Sequence, residues 1–213
     1  MTRRTYGQHC GLARALEIVG ERWALLIVRD LLVGPKRFTD LRNGLARIPT
    51  NVLSARLKEL EHAEVVRRRV LPRPAGSVVY ELTEYGGELE EVVLRLSRWG
   101  SRTLGEPGPD DIVTVDSLIT AVRSAFHPEA AGGPDVSYEL RAGEIVIHVI
   151  VGGGRLDVAQ GALPGAGLVI ETDSPAQALP AVGTGFAEAV AGGGVRLTGD
   201  PALLRRFAEI FHH

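Results

Sequence analysis

Residues 38–83 decide the fold of this chain: FTDL at 38–41, TNVLSARLKEL at 50–60, and a basic stretch that closes with YELT at 80–83. Phe38, Leu41 and Leu45 recur at helical spacing and predict a short first helix. Pro49-Thr50 then begins a second helix, with Thr50 as the candidate cap, because its hydroxyl can accept a free amide of the first turn. We therefore expect two consecutive helices joined by a short turn.

The second of these helices has two different faces. At 100° per residue, Leu53, Leu57 and Leu60 share one side. The other side is short, polar and basic, and it carries Asn51, Ser54, Ala55 and Lys58. Asn and Ser can bond base edges or phosphates, Lys neutralises phosphate, and Ala lets a helix sit deeply in the major groove. Arg56 lies toward the flank of the helix, where it can either stabilise the fold through contacts within the protein or contact the DNA backbone.

Residues 65–82 have the pattern of a β-hairpin. Two β-prone runs, 65–71 and 77–82, flank a Pro- and Gly-rich turn. Arginines on such a hairpin can straddle the DNA backbone or enter the minor groove. Two helices followed by a basic hairpin predict a winged helix-turn-helix. The residues expected to contact DNA are Lys36, Arg37, Thr50, Asn51, Ser54, Ala55, Arg56, Lys58, Arg67, Arg68, Arg69, Arg73 and Ser77.

The positive charge of the chain is concentrated in its first half. Residues 1–106 contain 18 lysines and arginines against 13 acidic residues, net +5, whereas residues 107–213 contain 6 against 13, net −7. Between residues 34 and 80, ten basic residues stand against four acidic ones. A phosphate-facing surface is expected to have this excess, although a solvated surface with a local basic surplus fits the same count.

A stretch rich in Pro and Gly, GEPGPDD at 105–111, separates the two halves. Both residue types interrupt a helix, so we place a linker there. We predict two domains, residues 1–106 and residues 107–213. Just before the linker, a long helix from about residue 84 to residue 104 carries an apolar stripe. That stripe fits ordinary core, and it also fits packing against its copy in a second chain.

The first half resembles a known family. The runs that carry the resemblance are CGLARALEIVGERWALLIVRDL at 10–31, RFTDL at 37–41 and LSARLKELE at 53–61. They are similar to HxlR-type transcriptional regulators over about residues 8–104. The resemblance implies a winged helix protein that binds operator DNA as a homodimer, with subunit contacts made by the terminal helices of the domain. It leaves repression and activation equally open.

Cys10 is the only cysteine of the chain. The resemblance places it where several redox-responsive members carry their sensing thiol. Arg14, one helical turn later, and the adjacent His9 are expected to lower its pKa and favour the reactive thiolate. Lone buried cysteines are commonly inert, so an inert structural role is the alternative. With no second cysteine, only a bridge to the partner's Cys10 or an adduct with a small thiol can form.

The second half has the pattern of an α+β domain. Strands are expected at 136–141, 144–151, 155–160, 168–172 and 195–198, with a helix at 116–126. Ser174-Pro175 and Asp200-Pro201 each combine a cap with proline at the first helical position, so each is expected to open a helix. A further helix is expected at 185–191. The fold class predicted for the whole chain is therefore α+β.

This domain resembles the sterol carrier protein type two fold, a small sheet with helices around an apolar cavity. The resemblance rests on the hairpin at 136–147, the segment at 168–173, and VRLTGD at 195–200 before the last helix. It implies a small hydrophobic ligand. The candidate lining residues, each of which could equally belong to a plain hydrophobic core, are Ile119, Val122, Phe126, Phe186, Leu203, Phe207 and Phe211.

Other features limit the class of protein. No apolar run approaches the ~20 residues that span a bilayer, and the N-terminus lacks a signal peptide pattern, so we expect a cytoplasmic protein without membrane contact. A single cysteine agrees with a reducing compartment. The scattered histidines indicate no metal site, and the glycine triplets at 152–154 and 192–194 lack the lysine of a phosphate loop. We expect no cofactor and no enzymatic activity.

Together these features predict a homodimeric, DNA-binding transcriptional regulator that recognises a pseudo-palindromic site in double-stranded DNA. Its second domain is expected to bind a small apolar ligand that modulates DNA binding, or to add dimer contacts. Two alternatives stay open at this point. One is a redox-sensing regulator switched through Cys10. The other is a lipid or acyl carrier that uses its N-terminal half as an interaction module.

Overall fold

The computed structural model describes residues 5–72, 76–105, 108, 110–175 and 194–212. The chain forms two compact units, residues 1–93 and residues 94–213, and each is described separately below. The division between them falls within one helix, Leu89–Ser101. The domain boundary expected at 106/107 stays a prediction. The predicted α+β fold class is confirmed, since helices and two β-sheets are present.

Four helices build most of the first unit: α1 is Gly11–Val19, α2 is Ala24–Val33, α3 is Phe38–Gly44 and α4 is Thr50–His62. The start of α3 is fixed by the Asp40 carboxylate, which accepts the Arg37 amide at 2.9 Å. At α4 the sequence prediction was wrong in one detail. Pro49 occupies the capping position and Thr50 is the first helical residue, because proline presets the extended backbone that precedes a helix.

A two-stranded antiparallel sheet follows α4. Strand β1 is Val66–Val70 and strand β2 is Val78–Leu82, with Val66 opposite Leu82 and Arg67 opposite Glu81. Residues 66–82 are called the wing from here on. The backbone of Lys36 pairs with Tyr80 through two hydrogen bonds of 3.0 and 2.7 Å. This extra pairing ties the wing to the segment that leads into α3.

Two helices follow the wing: α5 is Glu84–Gly87 and α6 is Leu89–Ser101. The Thr83 hydroxyl caps α5 by accepting the Gly86 amide at 3.0 Å. The core of the first unit is formed by the inner sides of its helices and by the residues at the start of the wing. Its largest fully buried members are Ile27, Leu41, Leu53, Leu57 and Leu60.

The second unit contains a five-stranded sheet and two α-helices among the described residues. Its elements are α7 Val115–Ala125, a 3₁₀ turn Pro128–Ala130, β3 Val136–Ala142, β4 Ile145–Gly152, β5 Arg155–Gln160, β6 Leu168–Thr172, β7 Val195–Gly199 and α8 Ala202–Ile210. The strand order is β5-β4-β3-β6-β7, and neighbours are antiparallel except for the parallel pair β3 and β6. Each of the five predicted strands is present within one residue at either end. The helices expected at 174–175 onward and at 185–191 fall mainly outside the described residues.

Aromatic rings join the helices of the second unit to its sheet. Tyr138 on β3 packs edge-on against Phe207 on α8, with ring centroids 5.0 Å apart. Phe207 contacts Phe211 at 4.7 Å, and Phe211 contacts Phe126 at 5.9 Å. These rings bury large apolar areas, and their tilted and edge-on geometries are the favourable ones for aromatic pairs. The row therefore fixes α8 against the end of α7 and the centre of the sheet.

Candidate nucleic-acid interface

Helix α4 has a buried apolar side and an exposed polar side. Leu53, Leu57 and Leu60 are at most 1% exposed, whereas Asn51 and Lys58 are exposed. Ser54 and Ala55 are partly buried on the same outer side, and the Ser54 hydroxyl donates to the Thr50 carbonyl oxygen at 2.9 Å. An inner side locked into the core holds the outer side in one orientation, which is the arrangement that readout of a DNA groove requires.

Arg56 makes two ion pairs within the first unit. Its guanidinium lies 3.1 Å from the Glu21 carboxylate and also bonds to Glu59 one turn later on α4. The Arg56 side chain is mostly buried as a result. Of the two roles that the sequence left open, bracing is the one supported by contacts, since the guanidinium bridges α4 to the residues before α2.

The wing arginines point to two different sides of the hairpin. The Arg67 Nε donates to Glu81 Oε1 and the Arg69 Nε donates to Glu81 Oε2, both at 2.8 Å. Arg68 lies on the other side, with its guanidinium 5.8 Å from the centre of the Tyr80 ring. The Arg69 hydrogen bond, with help from Arg67, holds the pKa of Glu81 below its usual range against the opposing effect of burial.

Glu81 is the residue of this surface that the sequence prediction missed. The charge count that revealed the basic excess ended at Tyr80, one position before it. The register of the hairpin could have identified Glu81. A strand pairing that places residue 67 opposite residue 81 also brings residue 69 within diagonal reach of the same carboxylate. Counting charges along the chain cannot detect this pairing, because the two strands meet only after folding.

The other expected DNA-contacting residues are placed as follows. Arg37 and Thr50 are exposed, and Lys36 is partly buried beside the wing. The Ser77 hydroxyl oxygen is buried and has no hydrogen-bond partner within the described residues. Arg73 lies outside the described residues. As direct DNA contacts, all of these residues stay predictions.

An open cleft of about 640 Å³ lies beside the wing. Its walls come from the end of α4, the start of β1 and helix α5, and its lining residues are Glu61, Glu64, Val66, Arg67, Arg68, Thr83, Glu84, Tyr85 and Glu88. The four glutamates of this cleft outnumber its two arginines, Arg67 and Arg68, so the lining as a whole has a net charge of −2.

Two helices each expose an apolar stripe. On α1, Leu12 is 69% exposed and Leu16, one turn later, is also exposed. On α6, Val92, Leu96 and the 72% exposed Trp99 follow at spacings of four and three residues. Of the apolar residues Leu12, Leu16 and Val19 on α1, only Val19 enters the core of the first unit. Apolar stripes at helical spacing that no described side chain covers are typical of association surfaces.

Cys10 is exposed at the capping position of α1. The backbone amides of Ala13 and Leu12, in the first turn of α1, lower the pKa of its thiol. The expected cause was Arg14, but that guanidinium lies 3.2 Å from the Glu17 carboxylate, which also accepts the Tyr6 amide at 2.9 Å. The free amides of a helix N-terminus therefore favour the Cys10 thiolate.

The predicted ligand-lining residues of the second unit are mostly part of its packed core. Ile119, Val122 and Phe207 are fully buried and Phe211 nearly so, while Phe126 and Leu203 are partly buried. Phe186 lies outside the described residues. The aromatic rings among them contact one another. In the described part of the unit these side chains are therefore packed core and not the wall of a cavity. An apolar ligand site stays a prediction.

Two further observations concern the described residues. No group of three or more His, Cys, Asp or Glu side chains among them is placed to hold a metal ion. Within the same residues, no helix combines the length and the apolar character that crossing a membrane requires.

A helix with a buried apolar side and an exposed polar side, followed by a basic hairpin, defines a winged helix-turn-helix protein of the DNA-binding class. The HxlR-like helix-turn-helix family model matches residues 18–107. The HTH-type transcriptional regulator YodB of Bacillus subtilis is 40% identical over 94 residues, which are 44% of this chain and 83% of YodB. This chain belongs to the HxlR-like helix-turn-helix family and is a transcriptional regulator.

Two solved structures are similar to part of the chain. The reduced form of YodB is 35% identical, with a TM-score of 0.41, and the match covers 47% of this chain and 100% of that one. The redox regulator HypR in its oxidised form is 32% identical, with a TM-score of 0.42, and the match covers 44% of this chain and 97% of that one. The family assignment rests on the sequence matches, and the family model ends at residue 107.

Proposed function

We propose that the chain binds a pseudo-palindromic operator as a homodimer, with α4 in the major groove and the wing along the neighbouring backbone. The observation that carries this proposal is the two-sided packing of α4: its leucines are buried, and Asn51 and Lys58 are exposed on the opposite side. Asparagine can bond adenine through two hydrogen bonds, and lysine neutralises phosphate. Specificity and affinity then come from different residues of one helix face.

The charge distribution also supports DNA binding through the first unit. The region of residues 34–80 carries ten basic against four acidic residues, whereas residues 107–213 have a net charge of −7. Affinity for DNA comes largely from the release of counterions by basic groups, so contact is expected from the first unit and not from the second.

Fluorescence anisotropy with duplexes from the region upstream of the chain's own gene tests this proposal. Asn51→Ala is expected to weaken binding to the operator by roughly tenfold or more and to leave binding to random DNA nearly unchanged. Lys58→Ala is expected to weaken binding to both and to reduce the salt slope by about one unit. Glu144→Ala, an exposed change in the second unit, is the control and should bind as the wild type does. Absence of salt-sensitive binding by the wild type would contradict the proposal.

The homodimer is supported by the apolar stripes on α1 and α6. A tryptophan that is 72% exposed on α6 offers a large contact area, since aromatic side chains bury about 150–250 Å² in an interface. A two-fold arrangement also fits the docking of two recognition helices about one turn of DNA apart. The stripes are therefore assigned to contacts between copies of the chain.

Sedimentation equilibrium tests the dimer. Trp99→Glu and Leu12→Glu each place a charge in an apolar contact and are expected to shift the protein toward monomer. Ile112→Glu is the matched control, because Ile112 is an exposed apolar residue outside both stripes. A wild-type protein that is monomeric at all accessible concentrations, or charged variants that dimerise as tightly as the control, would overturn the assignment.

Cys10 favours a second candidate function, a thiol switch on DNA binding. The thiol is exposed, and amides of Ala13 and Leu12 stabilise its thiolate. Two Cys10 thiols from two copies can lose two protons and two electrons to an added oxidant such as diamide and form one disulfide. A bridge of this kind would constrain the starts of both α1 helices in the dimer.

Mass spectrometry of diamide-treated protein, followed by anisotropy on the operator, tests the switch. We expect a disulfide-linked dimer through Cys10, or a mixed disulfide at Cys10 when glutathione is added together with diamide, an altered DNA affinity, and full recovery with dithiothreitol. Cys10→Ser replaces the thiol by a hydroxyl of similar size and is the matched control, which should not respond to diamide. If oxidised wild-type protein binds the operator with unchanged affinity, the switch is refuted.

Modulation by a small apolar ligand, the sterol-carrier-like assignment of the second unit, and a cytoplasmic location stay predictions. The buried aromatic row argues against a cavity among Phe126, Phe207 and Phe211 themselves. Native mass spectrometry of the purified full chain tests the ligand directly, since a bound molecule appears as a mass increment that denaturation removes. Salt-sensitive operator binding separates a regulator from a carrier that uses its first half as an interaction module.

A further inference from the structure

We propose that Glu81 is an internal counterion that occupies the wing arginines Arg67 and Arg69, and thereby limits how strongly the chain binds DNA of any sequence. The proposal rests on the DNA-binding function proposed above. It assigns a role to a carboxylate in the middle of the basic surface, where a negative charge would otherwise oppose binding.

The contact geometry divides one carboxylate evenly between two arginines. Each oxygen of Glu81 accepts one Nε hydrogen, from Arg67 on one side and from Arg69 on the other, at 2.8 Å in both cases. The alternation of side chains along β1 puts these two arginines on the same side of the strand. Glu81 lies on the neighbouring strand directly opposite Arg67, so the hairpin register itself creates the cluster.

Burial makes the pairing effective. The Glu81 side chain is 11% exposed, whereas those of Arg67 and Arg69 are 65% and 45% exposed. Little of the Glu81 side chain reaches water, and hydrogen bonds between charged groups are about twice as strong as neutral ones. A DNA phosphate that approaches these arginines has to compete with an oxygen that is already in place.

The net charge of the cluster explains the consequence for DNA. Two arginines with one shared carboxylate present +1 instead of +2, and each guanidinium has one donor committed within the hairpin. Binding to random DNA depends almost entirely on such charges, whereas operator binding also uses base contacts. Glu81 therefore lowers the charge-dependent part of the affinity, which is nearly the whole affinity for random DNA and one part of the affinity for the operator.

Arg68 provides a comparison within the same strand. Its side chain lies on the opposite side of the hairpin against the Tyr80 ring, and no described carboxylate pairs with it. An arginine over an aromatic ring keeps its full charge. Arg68 is thus expected to contribute more to binding random DNA than Arg67 or Arg69, although the three residues are adjacent in sequence.

The test uses the full chain and a fluorescein-labelled random duplex of about two helical turns, with anisotropy measured from about 50 to 200 mM salt. Glu81→Gln keeps the shape of the side chain and removes its charge. It is expected to increase affinity for the random duplex roughly three- to tenfold and to steepen the salt slope by about one unit. Glu84→Gln removes the same charge from the residue just beyond the wing, where no described arginine pairs with it, and is expected to change affinity less than twofold.

Removing the arginines one at a time from the otherwise wild-type chain provides a check that does not require Glu81→Gln to fold, and the same changes in the Glu81→Gln background provide a second one. In the otherwise wild-type chain, Arg68→Gln is expected to weaken random-DNA binding more than Arg67→Gln or Arg69→Gln. In the Glu81→Gln background, the latter two changes are expected to cost more than they do with Glu81 present, which is the coupling of a double-mutant cycle.

The outcomes separate this proposal from the one on which it rests. If the wild type binds no DNA, the proposed function itself fails. If the wild type binds DNA but Glu81→Gln binds no more tightly than Glu84→Gln, the counterion role is wrong. Equal losses for all three arginine changes would also overturn it, because they would show that Glu81 does not occupy any of them.

Discussion

The contact between α5 and the base of the wing leads to a sharp prediction about Gly86. This glycine is buried, and a Cβ added to it would lie against the carbonyl oxygen of Val65 and 2.9 Å from the carbonyl carbon. Ordinary contacts between such atoms begin at about 3.4 Å. The obstacle is backbone rather than a flexible side chain, so relief requires the start of the wing and α5 to move apart.

The cost of Gly86→Ala follows from what that movement disturbs. Forcing an extra carbon into a packed site costs about 1–3 kcal/mol. The same Val65 carbonyl oxygen accepts the Thr83 amide at 3.1 Å, and weakening that bond adds about 1 kcal/mol. We therefore expect Gly86→Ala to lower the free energy of unfolding of the first unit by about 2–4 kcal/mol.

Gly87→Ala is the matched control, because the same methyl group at the next position would meet nothing within 4 Å. Alanine is favoured over glycine within a helix, so this change is expected to leave stability unchanged or to raise it by less than about 1 kcal/mol. Urea denaturation followed by circular dichroism measures both variants. If the chain unfolds in two transitions, the one that shifts with Gly86→Ala is fitted as the transition of the first unit. Equal midpoints for the two alanine variants would refute the close-approach argument.

Three other measurements follow from the structure. Leu57→Ala removes a fully buried side chain from the inner side of α4 and is expected to cost about 2–5 kcal/mol in urea denaturation, with loss of DNA binding at temperatures where the first unit unfolds. Burial raises the pKa of Tyr138 to about 12, so its phenol should ionise after the exposed tyrosines in an ultraviolet titration. The pKa is higher in the folded than in the unfolded state. The stability that this group contributes is therefore present below pH 10 and is lost as the pH rises toward 12. The Glu139 carboxylate accepts the Leu163 amide and the Arg141 guanidinium, both at 2.6 Å, and these contacts lower its pKa although burial opposes them. Its stabilisation is therefore present above the ordinary carboxyl pKa and lost as the pH falls, and Glu139→Gln should flatten the acid limb of a stability-versus-pH curve measured by thermal melting.

Much of the fold could be predicted because its signals are local. Periodic leucines identified α3 and α4, and alternating residues between glycine turns identified β3, β4 and β5 within one residue of their observed bounds. Helix period, strand alternation and turn residues act over a few positions, so a sequence displays them directly. The parallel pairing of β3 with β6 was not predicted, because it joins residues about thirty positions apart and leaves no local pattern.

The candidate site was predictable to a smaller extent. The outer side of α4 followed from its helical period, but the partners of charged residues did not. Arg56 pairs with Glu21, which is 35 residues away, and Arg67 pairs with Glu81 across the hairpin. Cys10 gives a similar lesson: its sequence neighbour Arg14 is held by Glu17, and backbone amides lower the pKa of the thiol instead.

Periodicity and net charge are properties of the chain before it folds, so they were enough to predict a recognition helix, a basic hairpin and an acidic second half. They could not show which arginines of the wing are already paired with a carboxylate. Electrostatic interactions fall with distance and grow with burial, and both quantities are set by strand register and packing rather than by position along the chain. The register of β1 and β2 places the Glu81 carboxylate between Arg67 and Arg69, and this pairing reduces the positive charge that the wing presents.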